Sequence, residues 1–137
     1  MCVVRVGGEG VRPGERTLIA RAVRFVCGAA GARKVSVEIY LCPDAEMQRI
    51  KRHFFPGKRG PADVYSFPEN TPFPGPARKA RPLGEIYVNR DLGSRDEKRR
   101  VFLSVHGVLH LLGYDHLKKR DMLTMKRLED ETMKSIF

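Results

Sequence analysis

The sequence predicts one domain of the α+β class, with about four strands and four helices around a shared core. Three observations carry that expectation. Residues 35–41 alternate, Val35, Val37, Ile39 and Leu41 against Ser36, Glu38 and Tyr40, which is the period of a strand with one buried face. Leu18, Ala22, Phe25 and Val26 recur at helical spacing. From Val101 to Leu112 only Ser104, Gly107 and two histidines interrupt apolar residues, so this helix should be central and buried on nearly every side. A chain of 137 residues buries roughly two thirds of the surface its unfolded form exposes, enough for one core spanning 1–137.

The elements follow in order. Residues 2–6 read as a first strand, and their short apolar run lacks the length of a secretory segment. Pro13 opens the first helix, which Gly28 and Gly31 bound. After the strand at 35–41, Pro43 and Asp44 start a second helix, with Met47, Ile50 and Phe54 facing inward until Pro56 and Gly57 interrupt it. Asp63 to Phe67 give a third strand and Leu83 to Val88 a fourth. Between them, residues 68–82 hold five prolines and the cations Arg78, Lys79 and Arg81, which predicts an irregular basic loop. Ser94 with Glu97 forms a capping box for the buried helix. Asp121 to Met133 read as a last, basic amphipathic helix with Met122, Met125 and Leu128 inward.

The buried helix also carries the chemistry. His106, His110 and His116 form the run H-x-x-x-H-x-x-x-x-x-H, three of the chain's four histidines. Residues four apart share a helix face, so His106 and His110 can turn toward one ion. Gly113 can then take the left-handed turn that ends a helix and lets His116 reach the same ion. Three protein ligands leave a fourth position for water, as in catalytic zinc sites. Zinc suits three imidazoles, although nickel or copper could take the same ligands in vitro. Gly107 inside this helix costs about 1 kcal/mol relative to alanine, so its missing side chain should serve close packing or leave room beside the ion. The spacing matches that of a zinc peptidase motif except that Gly107 stands where the peptidase has its glutamate base. Asp115 is the nearest acidic residue, either a base or an acceptor that orients a ligand histidine.

Composition adds a partner class. The 26 Lys and Arg against 16 Asp and Glu give a net charge of +10, which favours a polyanion, nucleic acid first. No segment has the length and flanks for membrane insertion. Cys2, Cys27 and Cys42 are odd in number and lack C-x-x-C pairing, so they read as small core residues, and free thiols point to the cytosol.

The motif H-G-V-L-H-L-L-G-Y-D-H over 106–116 resembles the signature of the YbeY endoribonucleases. P-A-D-V-Y-S-F-P over 61–68 is similar to that family's P-T-D-V-L-S-F-P strand, and L-G-E-I over 83–86 to its L-G-D-I strand. The resemblance implies a small mixed sheet, one metal ion held by His106, His110 and His116, and single-strand-specific endonuclease action on ribosomal RNA. Its partners would be rRNA and the ribosome, the small subunit in particular, in the cytoplasm, with no membrane and no DNA. Two positions depart from the pattern. Ala62 replaces a threonine, and Pro56 stands before Gly57 and Lys58 where the family carries an arginine thought to serve in cleavage. Arg52, Lys58 or Arg59 is then the cation expected at the RNA. The alternative functions are a ribosome-assembly factor with structural zinc and, behind it, a metallopeptidase.

Overall fold

The computed structural model describes residues 2–69, 80–91 and 96–137. The described residues form β1 (Val3–Gly7), α1 (Pro13–Ala29), β2 (Val35–Cys42), α2 (Asp44–Phe54), β3 (Val64–Pro68), β4 (Arg81–Asn89), α3 (Glu97–Leu111) and α4 (Lys119–Ile136). One mixed sheet has the order β1-β2-β4-β3, with β1 and β4 parallel to β2 and β3 antiparallel to β4. Parallel neighbours cannot be joined by a hairpin, which is why α1 lies between β1 and β2 in the chain. The proline-rich stretch is shorter than its composition predicts: Pro68 ends β3, and Arg81 and Pro82 begin β4. Arg78 and Lys79 lie outside the described residues.

Alternation along the strands sorts the helices into layers. Val35, Val37, Ile39 and Leu41 of β2 and Ile86 and Val88 of β4 join the large core, with Ile19, Val23 and Val26 of α1, Val105 and Val108 of α3, and Met125 and Leu128 of α4. The opposite face of the sheet carries Tyr40 and Cys42 of β2, Tyr65 and Phe67 of β3 and Tyr87 of β4, which pack with Met47 and Ile50 of α2. Two residues expected inside are not. Phe54, the last residue of α2, is 56% exposed and meets the rings of His53 and Phe67 edge-on. Met122 lies in the first turn of α4, ahead of the stretch that reaches the core.

The start and middle of α3 show why it sits where it does. Asp96 caps it, its side chain accepting the Arg99 N–H at 3.0 Å. Ser94, half of the expected capping box, lies outside the described residues. A methyl group at Gly107 would stand 2.8 Å from Ile86 Cγ2 and 3.1 Å from Ser66 Oγ. The glycine therefore lets α3 settle directly on β3 and β4, and the Ser66 hydroxyl donates to the Gly107 carbonyl at 3.2 Å.

At its other end α3 corrects the sequence expectation. The helix stops at Leu111 and Gly113 turns with φ +101°, as expected, with His116 beyond it; what fails is the expected closure of the H-x-x-x-H-x-x-x-x-x-H motif of this buried helix into one metal site. Among the described residues, no group of three or more His, Cys, Asp or Glu is arranged to hold a metal ion. The physical reason is local. Asp115 holds the turn, accepting the Leu117 N–H at 2.9 Å while its own N–H donates to Asp121 at 3.0 Å, and His116 is left at the surface.

Candidate active site

His106 and His110 project from one face of α3, their Nε2 atoms 3.0 Å apart. Their other nitrogens fix the rings. His110 Nδ1 lies 3.1 Å from the Tyr114 carbonyl, an acceptor only, so this nitrogen carries a proton. His106 Nδ1 lies 2.8 Å from Oε2 of Glu129 on α4, a carboxylate that likewise accepts. Burial lowers the pKa of His110, and the neighbouring His106 lowers it further. Two imidazoles that both donate through Nδ1 turn bare lone pairs toward each other. Such lone pairs approach within 3.0 Å only when they share a cation, a proton or a metal ion. His116 meets His110 edge-on, ring centres 5.2 Å apart, and no hydrogen bond joins them among the described residues. The donor chemistry therefore fits a cation between two nitrogens, with the third ring standing off.

These rings line a cleft of about 620 Å³ between α3, β3 and the turn after α2. Its walls include Phe55, Lys58, Asp63, Tyr65, Ser66, Arg99, Phe102 and Glu129. Phe55 and Tyr65 stack with centres 4.9 Å apart, and Lys58 Nζ stands 5.2 Å from the first ring and 5.4 Å from the second. Across the cleft, Phe102 stacks on His106 at 6.1 Å, and Arg99 faces Asp63 with 3.8 Å between charged atoms. Cations and flat apolar rings thus flank a polar centre, a surface suited to a chain of phosphates and bases.

Of the residues singled out from sequence, His106, His110, His116 and Lys58 line this cleft. Arg52 belongs to a separate surface hollow with Lys51 and Phe55, Arg59 is exposed, and Asp115 is engaged in its turn. Arg99 and Glu129 were missed. Arg99 sits in a charged run that reads as solvated surface, whereas Glu129 had a signal: it directly follows the inward Leu128, and a carboxylate on a buried helical face needs a partner.

Comparison with known proteins bears on the same residues. The family model described as Endoribonuclease YbeY matches residues 14–136. The chain is 36% identical over 113 residues to a protein of Roseiflexus castenholzii named Endoribonuclease YbeY, covering 74% of this chain and 70% of that one. It is 33% identical over 135 residues to the Desulfitobacterium hafniense protein of the same name, covering 86% and 80%. A solution structure from Thermotoga maritima shares the fold, with a TM-score of 0.63 at 22% identity over 98% of this chain and 89% of that one.

Proposed function

Because the chain belongs to the YbeY endoribonuclease family, we propose that it is a hydrolase cleaving single-stranded RNA in the maturation of ribosomal RNA. The observation that carries this reading is the cleft itself, where the paired Nε2 atoms stand among Lys58, Arg99, Phe55 and Phe102. Lys58 and Arg99 hold phosphate oxygens, and the rings support unstacked bases. Glu129 and the Tyr114 carbonyl fix both imidazole tautomers, so that the two Nε2 atoms face the substrate side. The partners that follow are rRNA and the small ribosomal subunit, in the cytoplasm. Among the described residues, no helix is long and apolar enough to cross a membrane.

The finer part of the proposal is zinc. His106 and His110 would hold it at their shared position, and His116, which lines the same cleft with its ring 5.2 Å from that of His110, would have to shift to join them, since the three do not stand as a ligand set. When bound, the ion supplies a water of pKa about 7 or polarises a phosphoryl oxygen. The test is His110→Ala beside the unaltered protein, with zinc quantified and cleavage of rRNA mapped at its ends. Loss of zinc and of cleavage together is the expected result; undiminished cleavage by the metal-free variant would sink the idea. The second reading is an assembly factor with structural zinc that binds RNA without cutting it, and the net charge of +10 motivates it. It predicts retained RNA affinity and no product at any protein concentration.

A further inference from the structure

Cys2 and Cys27 are 25 residues apart in sequence, and the fold brings their sulfurs to 3.5 Å. Cys2 stands just before β1, the edge strand of the sheet, and Cys27 lies in the last turn and a half of α1. Both are free thiols, 7% and 0% exposed, and neither lines the cleft. Closing a disulfide from this contact requires the sulfurs to approach by roughly 1.5 Å, a matter of side-chain rotation. The third cysteine belongs elsewhere, on the α2 face of the sheet.

The two sulfurs are not equivalent. Arg24 Nε donates to the Cys2 carbonyl at 3.3 Å, which holds a guanidinium beside that residue. The hydrogen bond with Cys27 and then the charge of Arg24 bring the Cys2 thiol down to about 7 against the opposing effect of burial. The same hydrogen bond and burial push Cys27 up. The guanidinium of Arg24 beside Cys2 thus favours the thiolate on that sulfur and makes it the nucleophile of the pair. Cys42, pushed up to about 11 by burial and then by Glu46, is inert beside them.

We propose that Cys2 and Cys27 form an oxidative modification site, a dithiol that takes hydrogen peroxide and closes to a reversible disulfide tying the start of β1 to α1. The Cys2 thiolate attacks the distal peroxide oxygen, the O–O bond breaks, and the departing hydroxide takes a proton to leave water. The Cys27 sulfur then displaces the hydroxyl from the Cys2 sulfenic acid as a second water, its own proton leaving with it. Overall two thiols and one peroxide give one disulfide and two waters, and a reducing thiol reverses the result.

Treating the folded full-length protein with one equivalent of hydrogen peroxide tests this. The expected product has lost two hydrogens in mass, retains one titratable thiol of three, yields a crosslinked peptide joining Cys2 to Cys27, and melts higher by roughly 5 °C or more because a long loop is closed. Cys42→Ser should form the same crosslink and retain no titratable thiol, and Cys27→Ser should stall as a sulfenic acid trapped by dimedone at Cys2. Three thiols remaining in the oxidant-treated, folded protein would overturn the proposal, as would a disulfide through Cys42 or between chains. The mass and peptide map come from the unaltered sequence, so a variant that folds poorly leaves the test intact.

Discussion

Replacing Gly107 by alanine sets two effects against each other. In a helix alanine is favoured over glycine by about 1 kcal/mol. Here the added methyl meets Ile86 Cγ2 at 2.8 Å, a branched and fully buried side chain with no freedom to move aside, and overpacking of this kind costs about 1–3 kcal/mol. The steric effect wins. Gly107→Ala should lower stability by about 1 kcal/mol, read as a fall in the urea midpoint at constant m-value; an unchanged or raised midpoint would show that α3 is not seated on β4 as described. The glycine thus answers to packing. It also leaves no carboxylate beside the ring pair from its own helix, and Glu129 of α4 is the one that reaches His106.

Among the elements, α1 and α3 are locked by a buried ion pair, Arg100 Nε donating to Glu15, with both side chains 6% exposed or less. Removing one charge of such a pair leaves the other buried, whereas replacing both by apolar residues of similar volume removes two desolvation costs together. Glu15→Ala should therefore cost about 3 kcal/mol or more, and the double variant Glu15→Leu with Arg100→Met much less. A double variant as damaged as the single one would show that the cost does not come from leaving one charge of the pair buried. These two residues were invisible as partners in the sequence, 85 positions apart in charged surroundings. The elements themselves were readable, because a strand of period two and a helix of period 3.6 write their buried faces into consecutive residues. The ring pair could be read for the same reason, four residues apart on one helix. The place of His116 could not, since it depends on how Asp115 and Asp121 tie the turn after Gly113. Nor could the seats of Arg52 and Arg59, because nothing in a helix end followed by Pro56 fixes which cation faces the cleft.

Taken whole, the molecule carries +10, and Lys58 and Arg99 line its cleft together with the histidine pair. Binding of a single-stranded RNA should weaken steeply with salt as counterions are released. Each of Lys58→Ala and Arg99→Ala should flatten the plot of log K against log salt by roughly 0.7, the share of one single-strand phosphate contact. Arg52→Ala, away from the cleft, should change the slope less. Equal effects at all three positions would mean that RNA reads the general surface charge and not this cleft.

The contribution of α4 to the site has a consequence in time. A chain is synthesised from its amino end, and Glu129 belongs to α4, which follows the helix that carries both rings. A nascent protein complete through α3 already possesses His106 and His110, but His106 Nδ1 has no carboxylate to hold it and the cleft lacks that wall. The centre is therefore incomplete until α4 has been made, so that a chain broken off before it carries the histidines without the arrangement that gives them their use.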